Sequence, residues 1–363
     1  MNAHRLFSQR PHLPRLSPSE IGLWIAGALP LALVALLLAA LLAVSPAHAS
    51  DAACHGENLL VAMEAEKPEE LAQIRAEAAK VPNGQGIFWK IEKEGLKPSY
   101  LLGTMHVTDP RVLTMPKGAR EAAAEADVVV IESDEILDEK KAAASLLMHP
   151  ELTMFTDGKS VKDHLDGEDM KKLEAGLKER GLALGAVARM KPWILASFVA
   201  LPACELSRKA AGASFLDKQI AEDAVKAGKP VAGLESLVEQ LEAMADLPVD
   251  FHFKALIETI ALGDKMEDVI ETMTELYLAG DIGMTMPMLK AVAPTEDGED
   301  ESAYAAFETR IVRDRNLVMA KGSKPHLEKG NAFIAVGALH LPGEEGLIEL
   351  IRKQGYTVTR IDG

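Results

Sequence analysis

Pro98-Ser-Tyr-Leu-Leu-Gly-Thr-Met-His106 is the stretch on which the reading of this chain turns. Its apolar run, Tyr100 to Leu102, reads as a buried strand, and Gly103 and His106 follow at once. Near the other end Ala332-Phe-Ile-Ala-Val336 reads as a second buried strand, followed by Gly337-Ala-Leu-His340. Two strands that each finish in Gly-x-x-His would deliver two imidazoles to one sheet edge, the carboxyl edge where α/β folds place their sites. Glycine there permits a sharp exit and close backbone approach. A lone histidine after a strand is an ordinary surface residue. The pair at equal offset points instead to metal ligands or to an acid/base couple.

Outward from this stretch, Ile87 to Ile91 alternates as a strand and Glu94-Gly95 turns, so Pro98 to Leu102 is the second strand of a hairpin. Lys117 to Ala126 reads as an Ala-rich helix, and Asp127 to Ile131 as a central strand, apolar without alternation, that ends in Glu132. This βαβ pattern predicts that the strands of His106 and Glu132 are neighbours. Lys229 to Leu234 reads as a short buried strand ending at Glu235. Two histidines and one carboxylate with an open position suit Zn, Mn or Co acting on a bound water. Glu132 and Glu235 compete for that place, one to hold the metal and the other to take the proton; each is also an ordinary strand-end acid. Tyr304 to Lys321 reads as a helix on which Arg313 and Asn316 share a face. Arg313 there would hold a carboxylate, of substrate or of Glu235, or steady an oxyanion, unless the face is simply solvated. Glu344 to Gln354 reads as a helix whose N–H groups point back toward His340, and Tyr356 to Ile361 as the last strand.

The stretches 138–210 and 236–290 are helical in pattern and read as insertions into the α/β core. The first 49 residues read as an export signal: three Arg, an apolar run from Ile21 to Val44, then Ala47-His-Ala49 before Ser50. The run is also long enough to act as an uncleaved membrane anchor. Cys54 and Cys204 are the two cysteines of the chain. In an oxidising compartment they read as one disulfide, with two buried free thiols as the other reading. A formal charge of −16 without a basic cluster argues against nucleic acid as a partner. No Gly-x-Ser-x-Gly, His-Glu-x-x-His or Gly-Lys-Ser/Thr loop is present, which disfavours serine-hydrolase, zincin and P-loop chemistry.

At these positions the sequence resembles the TraB/PrgY/GumN family. The resemblance rests on Leu101-Leu-Gly-Thr-Met-His106, Val130-Ile-Glu132, Pro230-Val-Ala-Gly-Leu-Glu235, Arg313-Asp-Arg-Asn316 and Val336-Gly-Ala-Leu-His-Leu-Pro-Gly-Glu-Glu-Gly346. That family includes the animal Tiki proteins, regarded as metal-dependent proteases, and is grouped with the erythromycin-esterase and ChaN-like fold. The resemblance implies one domain over residues 50–363, a central mixed sheet flanked by helices with large helical insertions. It also implies His106 and His340 as the paired histidines, Glu132 as the shared acid, and Glu235, Arg313 and Asn316 as pocket residues. A metal-dependent, peptidase-like hydrolase follows as the first expectation. A non-catalytic binder of a peptide, haem or polysaccharide intermediate is the second, and a metal-free esterase the third.

Overall fold

A computed structural model describes residues 54–292, 305, 306 and 308–362. The proposed export signal lies outside them. Among the described residues no helix is long and apolar enough to cross a membrane.

The centre is a six-stranded mixed sheet: β1 (Phe88–Glu92), β2 (Ser99–Thr104), β3 (Val128–Ile131), β4 (Val231–Gly233), β5 (Ala332–Gly337) and β6 (Thr357–Arg360), in the order β4-β3-β5-β2-β1-β6. β4, β3, β5 and β2 run parallel, and β1 is antiparallel to β2 and β6. The hairpin forms as its alternation requires. The expected pairing of β2 with β3 does not, because β5 lies between them and is hydrogen-bonded to both. The most apolar strand takes the centre, buried on both faces, as parallel sheets demand. β4 is no buried strand but a three-residue edge, with Gly233 exposed.

Strand alternation divides the core in two. Leu101, Val130, Ile334 and Val336 face one way, under the helices at Asp314–Leu327 and Leu347–Lys353. Leu102, Val129, Ile131, Phe333 and Ala335 face the other, under Ala119–Glu125 and Leu216–Lys226. The helical stretches build a core of their own, in which Leu173, Leu177, Leu195 and Val199 meet Phe253, Leu256 and Ile257. The two insertions, separate in sequence, therefore pack on each other.

The described helices are α1 (Leu59–Glu66), α2 (Pro68–Ala78), α3 (Ala119–Glu125), α4 (Glu139–Met148), α5 (Gly167–Glu179), α6 (Leu184–Val187), α7 (Pro192–Val199), α8 (Ala203–Ala210), α9 (Leu216–Lys226), α10 (Leu237–Ala245), α11 (Val249–Leu262), α12 (Lys265–Leu278), α13 (Thr285–Val292), α14 (Asp314–Leu327) and α15 (Leu347–Lys353). Two of them correct the periodicity. The helix expected from Tyr304 is α-helical at Ala305 and Ala306, takes a π-helical turn over Glu308–Arg313 and is α-helical again from Asp314. The one expected from Glu344 begins at Leu347, after a tight Pro342–Gly346 turn, and packs its first residues into the core.

Cys54 and Cys204 are joined by a disulfide. It ties α8 to an N-terminal segment that runs along α12, where His55, Glu57 and Leu59 donate backbone N–H groups to Glu267, Asp268 and Thr272.

Candidate functional site

The carboxyl ends of β2, β5, β3 and β4 deliver His106, His340, Glu132 and Glu235 to one end of the sheet. The two Gly-x-x-His units are adjacent but out of step, for Gly103 pairs with Val336 and Thr104 with Gly337. Each glycine makes room for something different. A Cβ on Gly103 would stand 3.0 Å from the Ala338 Cα, so a side chain there would push the His340 turn away. A Cβ on Gly337 would stand 3.1 Å from Glu132 Oε1.

His340 is buried. Asn316, itself 1% exposed, donates through Nδ2 to the Glu345 carbonyl at 2.9 Å, which turns its Oδ1 toward the ring. His340 Nδ1 lies 2.8 Å from that oxygen and is therefore the protonated nitrogen. Nε2 is left with its lone pair, 3.8 Å from Glu132 Oε1. Burial, against the opposing pull of Glu132, lowers the His340 pKa to about 4, so the ring is neutral at pH 7.

Glu132 is held from both sides. Oε1 accepts from the Gly337 N–H at 2.6 Å, and Oε2 from Arg315 Nη2 at 2.7 Å. Burial opposes its ionisation, but the charges of protonated His340, of His106 and of Arg315, with the Gly337 N–H, outweigh that and lower its pKa to about 2. With His340 neutral at pH 7, Arg315, His106 and the N–H keep the carboxylate ionised. Arg315 also binds Glu235, through Nε at 3.0 Å and through Nη2, and Gln240 donates to Glu235 at 2.9 Å. One half-buried guanidinium thus bridges two buried carboxylates.

A hold on Glu235 was among the roles expected of Arg313. Arg313 instead lies at the exposed end of the π-helical turn, 3.2 Å from Glu308 and 3.7 Å from Glu345, and touches neither Glu132 nor Glu235. The π turn shifts the angular phase of the helix, so a count of three from Asn316 selects the wrong arginine. Asn316 and Arg315 are the pair that faces the sheet.

His106 is different in kind. Its side chain is 53% exposed, and Nε2 stands 3.5 Å from Oδ2 of Asp217, a residue 3% exposed in the first turn of α9. Thr104 donates to Asp217 Oδ1 at 2.8 Å, while Oδ2 has no hydrogen-bond partner, so the contact with His106 is ionic. The crowding of the ring favours its neutral form, but Asp217 and then Glu132 outweigh this and raise the pKa to about 9. Sequence reasoning missed Asp217, because an acid in the first turn of a helix reads as a dipole partner; a buried face beginning at Leu216 was the available signal.

The described His, Cys, Asp and Glu residues contain no group of three that could hold a metal ion. His340 and Glu132 form one pair of donors and His106 and Asp217 another. The donor chemistry suits a divalent cation, but the side chains as placed do not complete its site.

A family model described as TraB/PrgY/gumN matches residues 87–360. The chain belongs to that family. Among curated proteins, the human "Metalloprotease TIKI1" is 23% identical over 75% of this chain and 61% of its own length. The zebrafish (Danio rerio) protein of the same name is also 23% identical, over 75% and 62%. A "Metalloprotease TIKI homolog" of Nematostella vectensis is 22% identical over 76% and 67%. The chain thus spans about three fifths of the two TIKI1 proteins. No solved structure matches it.

Proposed function

We propose that this chain is a hydrolase of peptide bonds in which His340 is the general base. The supporting observation is a buried, neutral imidazole that is anchored through Nδ1 and presents Nε2 beside a fixed carboxylate. Such a group takes a proton from water without first losing one of its own. His340 would accept the proton of the attacking water and return it to the leaving amine, giving one carboxyl and one amine product. Glu132 would orient the water and stabilise the imidazolium formed. His106, charged and open to the pocket, would face the developing oxyanion. Arg315 is already committed to Glu132 and Glu235, so its part is to hold those carboxylates in place.

The names of the relatives favour peptide substrates and make metal dependence part of the test; no step above needs an ion. The disulfide supports export, since such bonds persist in oxidising compartments. The test incubates the purified protein, with and without chelator and with Zn, Mn or Co restored, with a mixed peptide library read by mass spectrometry. Cleavage that is lost in Glu132→Gln and His340→Gln supports the reading. Identical products from the wild type and both variants overturn it. Loss on chelation with recovery on one metal assigns that ion; cleavage that survives chelation assigns the metal-free form.

A further inference from the structure

The pocket beside these residues, about 410 Å³, has two unlike parts. The sheet supplies the polar end, with His106, Glu132 and His340. The remaining walls come from elsewhere: Met105 after β2, Leu201 between α7 and α8, Ile270 and Met273 on α12, Met286 on α13, and Leu339 before His340. All six are half-buried, so apolar surface is held open next to the charged groups. Both helical insertions contribute. A second cavity of about 460 Å³ shares Ile282, Met286, Val312 and Leu339 with the first, so the two stand on either side of a common wall.

We propose that the 410 Å³ chamber binds one large apolar side chain of a peptide substrate, accepting leucine, methionine and phenylalanine and rejecting small or charged residues. This rests on the peptidase reading above and names its substrate class. Apolar walls reward apolar area removed from water and leave a charged group without its hydration. An acidic side chain would also meet an excess of negative charge, since Glu132, Glu235 and Asp217 outnumber Arg315 and charged His106, and Arg315 is doubly engaged. Three methionines give the wall an adaptable shape, which predicts breadth among large apolar residues rather than selection of one. The apolar walls of the first chamber suit a peptide side chain better than a sugar, whose hydroxyls need polar partners along the wall.

The experiment uses the full chain as His340→Gln, which binds without turnover, and peptides Ala-Ala-X-Ala-Ala that differ only at X. The methyl NMR signals of Met105, Met273 and Met286 report occupancy. Leucine, methionine or phenylalanine at X should move them at concentrations roughly tenfold or more below those needed with alanine, lysine or glutamate. In folded Leu201→Ala and Met286→Ala variants this preference should shrink. Equal response to all peptides, or no response from the three methyls to any of them, overturns the inference. The wild type is then assayed for cleavage of the same panel. Apolar preference without cleavage counts against the hydrolase reading alone; cleavage without preference counts against the apolar chamber alone.

Discussion

The two Gly-x-x-His turns share a spacing and end in opposite surroundings. His340 follows the central strand, and the core supplies both of its neighbours: Asn316 from α14 and Glu132 from β3. His106 follows β2 into a loop that the helices around it must hold. Asp217 of α9 stands against its ring, and Glu205 of α8 accepts both the N–H and the hydroxyl of Thr108, at 2.9 Å each. Tyr277 of α12 donates to the Gly103 carbonyl at 3.0 Å. The buried histidine is fixed by the sheet itself, while the open one is placed by elements added to it. A neutral base and a charged partner thus arise from one local motif, because environment and not spacing sets protonation.

The sharpest way to break this comparison is to remove each ring in turn. His340→Gln should lower kcat by about a hundredfold to ten-thousandfold, the usual range for losing a general base, with little change in KM. His106→Gln should cost less, under the roughly hundredfold of a deleted oxyanion donor, because the glutamine amide still donates and only the charge is lost. Steady-state kinetics of the two variants on one cleavable peptide decides it, and equal losses would refute the division of roles.

The second test concerns stability. Arg315 neutralises two carboxylates on the His340 side alone. Arg315→Gln leaves them facing each other in a buried place and should destabilise the fold by about 3–5 kcal/mol. Arg313→Gln, which loses exposed pairs only, should cost about 0–1 kcal/mol. Denaturant titration of both separates the bridge from the surface arginine that sequence spacing selects.

The unequal legibility of the site has the same origin. The apolar runs at Tyr100–Leu102, Val128–Ile131 and Ala332–Val336 mark strands directly, and the residues that follow them are thereby placed at one sheet edge. Strand order was less accessible, since nothing local says that β5 inserts between β2 and β3. Asp217 and Arg315 were not legible either. One sits in a helix that only tertiary packing brings to His106, and the other follows a π turn that an ideal 3.6-residue period does not represent.

The smallest and most specific effect belongs to Asp217. Its carboxylate holds His106 charged up to about pH 9. A histidine whose folded pKa lies above its unfolded value stabilises the fold fully below the unfolded pKa, near 6.5, and loses that contribution as pH rises through about 9. Asp217→Asn keeps the shape and the Thr104 contact but removes the charge, so the alkaline limb of the pH–rate profile should move from near 9 toward 6.5. The acid limb, set by His340 near 4, should stay where it is. If both limbs move together, the two histidines titrate as one coupled unit, and the contrast between a sheet-fixed base and a helix-held partner is wrong. If only the alkaline limb moves, the helices around the sheet set the charge of one histidine without reaching the other.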